Sequence, residues 1–206
     1  MMTVKISCIV EGYGEIEAVP VLIRRVAWDL YPELPIIVER PIRAPRNLVV
    51  KAGELERKIE LAAQKISGKG AIFIILDSDD DCPAQLGPAL LNRASQVRDN
   101  LPIAVVLAKR EFETWFISSA ESLRGRRGLK SDITPPNNPE KIRGAKEWLE
   151  RQMENNETYS ETSDQPALAA LFDIDQARKA DSFDKCYRDI VRLLEELQKV
   201  NDSTSE

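Results

Sequence analysis

An α/β fold with a mostly parallel central sheet flanked by helices is what this sequence predicts, and three observations predict it. Short apolar runs alternate with longer stretches in which apolar residues recur at three- and four-residue steps, the signature of strands alternating with helices. Two of the runs, AIFIIL at 71–76 and IAVVL at 103–107, contain no polar side chain, as strands covered by helices on both faces require. The connections between runs are short, which favours right-handed crossovers between parallel strands.

The first strand spans 3–10, where Val4, Ile6, Cys8 and Val10 alternate, and it runs into EGYGE at 11–15. Two glycines there let the backbone take positive φ or approach a ligand closely. Neither GxxxxGK[ST] nor GxGxxG is present, and an acidic turn repels phosphate, so a phosphate-binding loop is set aside. From Ile16, the stripe Val19, Ile23, Val26 and Leu30 marks a helix, with Pro20 removing one donor near its start. The second strand is expected over 35–42 around Ile36, Ile37 and Val38. Next, a helix over 51–66 puts Leu55, Ile59, Ala62, Ala63 and Ile66 on one face and ends at Ser67, Gly68 and Gly70. After the third strand, Pro83 opens a helix lined by Leu86, Leu90, Ala94 and Val97, and the fourth strand follows at 103–107. Trp115 and Phe116, close behind it, read as core anchors.

Residues 125–138, GRRGLKSDITPPNN, have the composition of a loop or lid. Asn138-Pro139 signals a helix start, with Ile142, Ala145, Trp148, Leu149 and Met153 inward. A polar connection over 155–163, short helices over 166–172 and 173–180, and a final helix capped by Ser182 complete the pattern, with 201–206 expected to fray. The organisation is therefore a sheet domain over 1–123, a basic loop over 124–138 and a helical extension over 139–200 packed on the sheet domain.

The 206 residues include no histidine. Ser/His/Asp and Cys/His machinery, imidazole bases and His-liganded zinc or iron are thereby excluded. What remains is carboxylate, lysine, arginine and metal chemistry, and a carboxylate site selects hard cations such as magnesium, manganese or calcium. Cys8, Cys82 and Cys186 are odd in number and far apart, supporting neither a disulfide framework nor a zinc knuckle. No run approaches the ~20 apolar residues of a membrane span. The start, MMTVKISCIVEG, lacks a signal peptide's long apolar core, so a cytoplasmic protein is expected, without a membrane partner. A net charge of -5 weighs against general coating of nucleic acid while allowing local basic patches.

In a parallel sheet the carboxyl ends of the strands share one edge, where open α/β sheets place their ligands. Three ends present acids: Glu11 and Glu15; Asp77, Asp79, Asp80 and Asp81; Glu111 and Glu113. A like-charge pair at about 4 Å costs on the order of 4 kcal/mol at an effective dielectric near ~20, and a cation relieves it. The competing reading of the aspartates is a solvated loop that caps the next helix. A phosphatase motif of the haloacid-dehalogenase kind is discounted, because it would sit on the first strand and have Thr or Val where Asp81 stands. Basic residues gather at Arg43 and Arg46, and again at Arg124, Arg126, Arg127 and Lys130. Either group can grip a phosphate backbone or remain solvated.

Glu11-Gly12 after the first strand and Asp77-Ser78-Asp79 after a later one, with no histidine, resemble the toprim fold of type II topoisomerases, primases and overcoming-lysogenisation-defect nucleases over residues 3–117. Glu15, and the Lys109, Glu111, Glu113 segment, are closer to the nuclease branch. The whole chain, including EFETWF, Tyr159, Asp164-Gln165 and Ser182-Phe183, resembles an uncharacterised family of bacterial toprim-like proteins, domain of unknown function 4276. The resemblance implies hydrolysis of phosphodiesters in DNA or RNA with Mg2+ or Mn2+. In that reading Glu11 is metal ligand and general base, Asp77 and Asp79 are ligands, Glu15 and Glu113 serve a second metal, and Lys109 neutralises the transition state. It also implies nucleic acid as partner and an ATPase beside it in phage defence; this chain has no ATPase motif of its own. The alternative is a non-catalytic toprim-derived module that binds metal or a partner protein.

Overall fold

The computed structural model describes residues 3–155 and 157–203. Among them, five strands form one sheet: β1 (Val4–Val10), β2 (Ile36–Val38), β3 (Ile42–Arg43), β4 (Ala71–Asp77) and β5 (Ile103–Ala108). The order is β2-β1-β4-β5, β3 also pairs with β1, and every pairing is parallel. The strand expected over 35–42 is thus two strands. Val4 to Ile6 face β2 and Ile9 and Val10 face β3, with residues 39–41 stepping between them, because Pro41 has no N–H for the ladder.

The helices are α1 (Glu15–Leu30), α2 (Arg46–Val49), α3 (Glu54–Lys65), α4 (Pro83–Val97), α5 (Thr114–Ser118), α6 (Ala145–Arg151), α7 (Glu161–Leu171), α8 (Ile174–Ala177) and α9 (Asp181–Ser203). Alternate side chains of the buried strands enter two cores. Ile72, Ile74 and Leu76 pack with α3 and α4 on one face, whereas Phe73, Ile75, Ala104 and Val106 pack with α1, α7 and α9 on the other. No helix among the described residues is long and apolar enough to cross a membrane.

Several boundaries differ from the sequence reading. Only a 3-10 turn, Pro139–Lys141, follows Asn138. The helix restarts at Ala145 because Gly144 takes a left-handed φ of 69°, which a side chain disfavours. Helix α7 begins at Glu161 and contains Pro166 rather than starting there. Ser182 lies inside α9, and its hydroxyl accepts the Trp115 indole N–H at 2.9 Å. Helix α9 continues to Ser203, and the fraying expected beyond that residue falls outside the described residues.

The C-terminal helices complete the second core. Phe112, Trp115, Phe116, Phe172 and Phe183 form a chain of tilted and edge-on rings with centroids 4.7–5.6 Å apart, the geometry that aromatic quadrupoles favour. Lys185 and Arg192 of α9 donate to the carbonyls of Val105 and Ile103 at 3.0 and 2.8 Å, covering an edge that would otherwise template pairing. A chain ending at residue 123 loses Phe172, Phe183, Ile190, Leu193 and Leu194, all buried. At about 1.5–3 kcal/mol each that loss rivals the whole ~5–15 kcal/mol stability of a domain. Such a truncated chain is expected to show no cooperative thermal transition by circular dichroism, against a single sharp one for the full chain.

Candidate functional site

The register brings Asp77 opposite Ala108 and Ile9 opposite Ile74, so β1, β4 and β5 finish side by side. Glu11 is the first residue past β1, and its Oε2 accepts the Asp77 N–H at 3.2 Å. Glu15 opens α1 and turns back, its Oε2 accepting the N–H groups of Glu11 and Gly12 at 2.8 and 2.7 Å. Gly14 makes this turn fit against α7, because a Cβ there would lie 2.2 Å from Gln165 Oε1 and 2.4 Å from the Glu161 carbonyl. Asp77 ends β4, partly buried, and its Oδ1 accepts the Phe112 N–H at 2.8 Å. Glu113 is fully buried. Its Oε1 accepts from Tyr159 Oη and Gln165 Nε2, each at 3.1 Å, while its Oε2 has no hydrogen-bond partner among the described residues.

These four acids share one electrostatic field. Burial pushes Glu15 up to about 7, with the Glu11 charge adding to the rise and the Gly12 and Glu11 N–H groups opposing it. Glu113 is likewise pushed up to about 7, by burial first and then by Glu15 and Glu161, against the pull of Lys146. Asp77 is raised well above the ordinary aspartate value by burial and then by Glu15, Glu113 and Glu11. Glu11 is raised by burial and by the Asp79 charge.

The cation that answers this field is Lys146, which the sequence reading missed. It is half-buried in the first turn of α6 and pairs with Glu161. Glu113, Glu161 and Asp77 hold its proton more tightly than usual despite burial. Glu111 sets it in place, since Glu111 Oε1 accepts the Ala145 N–H at 2.9 Å. Lys109, the expected lysine, is partly buried just past β5 and makes no ion pair among the described residues.

The family described as Domain of unknown function (DUF4276) matches residues 10–190. The chain belongs to that family. The match takes in the whole acid cluster together with Lys146, Tyr159 and Gln165. No curated protein and no solved structure matches.

In this DUF4276 chain Asp79, Asp80 and Asp81 form an exposed loop beside the buried acids. Asp79 has a left-handed φ of 48°, and its N–H donates to the Arg110 carbonyl at 3.1 Å. The side chains face arginines. Arg46 pairs with Asp79 at 3.3 Å and with Asp81, and Asp80 pairs with Arg110 and, at 2.8 Å, with Arg143. No side chain caps α4, whose N-cap is Cys82.

The donor set fits a hard divalent cation in its chemistry: oxygen ligands only, acids that suppress one another's ionisation, and one buried carboxylate oxygen left without a partner. As the side chains stand, no group of three among the described residues is arranged to hold the ion. Closing one would require Glu11 or Asp77 to turn from its backbone N–H, or Asp79 to leave Arg46.

The expected basic residues are dispersed. Arg43 lies over the Tyr13 ring with its carbon 4.1 Å from the centroid. Arg124 donates to the Ile133 carbonyl at 2.7 Å, Arg127 pairs with buried Asp164 at 2.9 Å, and Lys130 donates to the Arg151 carbonyl at 2.7 Å. These contacts tie the loop down, leaving Arg126 exposed.

The raised acids set a pH dependence. Glu15 and Glu113 keep a proton in the fold between 4.5, their ordinary value, and about 7, where the unfolded chain has already lost it. Their contribution to stability is therefore greatest at acid pH, falls as pH rises from about 4.5 through 7, and levels off above that. Glu113→Gln is expected to leave the melting temperature almost unchanged at pH 5 and to raise it at pH 8, on the order of 5 °C. Thermal melts at the two pH values check this; an equal effect at both would contradict it.

Proposed function

We propose that this protein hydrolyses phosphodiester bonds of DNA or RNA with magnesium or manganese, at a site of the toprim kind. The single observation carrying this reading is the convergence of Glu11, Asp77, Glu15 and Glu113 from three adjacent parallel-strand ends into one coupled group at the sheet edge where α/β folds bind ligands. A divalent cation bound there supplies a Lewis acid and lowers the pKa of water toward neutrality. Glu11 and Asp77 would hold it, with Glu15, Glu113 and Asp79 as further donors. Glu11 is partly exposed at the cluster's outer side, and in the toprim resemblance it is also the general base that would take a proton from water. Lys146 offsets part of the negative charge behind Glu113, while neutralising the transition state stays with Lys109, to which the toprim resemblance gives it. A partner ATPase and a role in phage defence enter this reading only through that resemblance.

The second reading, a non-catalytic module that binds metal or a partner, draws on the carboxylates already committed to backbone N–H groups and on the lack of a ready trio of ligands. Plasmid nicking in Mn2+ separates the two. The wild type is expected to nick, and Asp77→Asn to lose about 100-fold or more of the rate. Equal nicking by both would overturn the proposal. A Mn2+-dependent rise in melting temperature that Asp77→Asn abolishes, with no cleavage of DNA or RNA, would select the second reading.

A further inference from the structure

Three arginines from three separate segments reach the same sheet edge as the acids. Arg46 begins α2, Arg110 follows β5, and Arg143 precedes α6. All three are engaged by the single loop Asp79, Asp80 and Asp81. The pairing is lopsided. The side chains of Arg46 and Arg110 are 16% and 22% exposed, whereas those of the three aspartates are 62%, 70% and 55% exposed. Two of the cations are thus anchored in the body of the protein, while their anions ride on an exposed loop. Between them lies a cavity of about 140 Å³ lined by Asp79, Asp80, Arg110, Glu111, Arg143 and Gly144. It opens beside the strand ends that carry the acid cluster.

We propose that Arg46, Arg110 and Arg143 are the grip for a phosphodiester backbone, and that in the free protein Asp79, Asp80 and Asp81 occupy it as carboxylate stand-ins for phosphate. Guanidinium binds carboxylate and phosphate oxygens with the same fork geometry. The aspartate side of every pair is exposed to water, which screens the pair and leaves the loop free to give way to a phosphate. The exchange also frees Asp79 from Arg46 beside Glu11, which links backbone binding to completion of the cation site. By contrast, Arg124, Arg127 and Lys130 spend their donors on holding their own loop. This proposal rests on the nucleic-acid reading above and replaces the basic loop with the aspartate-held arginines as its contact surface.

Fluorescence anisotropy with labelled duplex DNA, single-stranded DNA and RNA, in EDTA so that no cleavage occurs, tests it. Asp80→Asn is expected to tighten binding about threefold, because it removes a competing anion. Arg110→Ala and Arg143→Ala are each expected to weaken it about tenfold and to reduce the salt slope by about 1. The remote changes Asp99→Asn and Arg188→Ala, matched in charge, should do neither. If Arg110→Ala fails to fold, Arg143, whose side chain is 70% exposed, carries the test. The proposal is overturned if Asp80→Asn leaves binding unchanged or weaker, if the arginine variants keep the wild-type salt slope, or if no protein binds any of the three probes. Binding that behaves as expected while neither plasmid DNA nor RNA is cleaved in Mn2+ would defeat the nuclease reading and leave the grip standing.

Discussion

Four carboxylates held at the mouths of three adjacent parallel strands repel one another, and much of the architecture around them exists to bear that repulsion. Parallel pairing makes the crowding unavoidable, because it sets the ends of β1, β4 and β5 on one edge. Backbone N–H groups of Glu11, Gly12, Asp77 and Phe112 each donate to one of the acids. Burial first, and neighbouring acid charges after it, raise the proton affinity of Glu11, Glu15, Asp77 and Glu113 beyond what these bonds offset. A fold selected for stability alone has no need of such a cluster, since burying carboxylates is among the costliest things a core can do.

The C-terminal helices belong to this arrangement as much as to the core. Helix α7 and the segment before it bring Gln165 and Tyr159 onto Glu113, and α6 brings Lys146. Gly14 lets α1 meet α7 closely enough for this contact, while the aromatic chain from Phe112 to Phe183 fixes the helices behind it. Removing them would therefore strip the site of its cation and the sheet of one cover together. The match to DUF4276, which runs across both parts, agrees with a single functional unit.

Much of this was legible in the sequence. Alternating periodicity gave the α/β class, and the unbroken apolar runs of β4 and β5 gave its parallel sheet. The acids at three strand ends followed from topology alone. Less legible was anything set by contacts distant along the chain. Lys146 lies far from Glu113 in sequence, on a stretch whose pattern spoke only of a helix face, and no local signal marks it. Asp77 and Asp79 read as a pair of ligands, yet the chain divides them: Asp77 still belongs to β4 and accepts the Phe112 N–H, while Asp79, in a left-handed turn, pairs with Arg46 as Asp80 and Asp81 also pair with arginines. Of the basic residues that the sequence singled out, Arg124, Arg127 and Lys130 hold their own loop together, because density along the chain says nothing about which donors a loop consumes in closing on itself.

Whether the strand-end acids hold a divalent cation is decided by calorimetric titration of Mn2+ into the protein near pH 7, in two buffers of different ionisation enthalpy. Cation binding requires ionised ligands, and Glu15 and Glu113 are part-protonated near that pH. Saturable binding with net proton release is expected, both lost in Asp77→Asn. Absence of a saturable isotherm, or binding with no proton release that Asp77→Asn leaves intact, would contradict it.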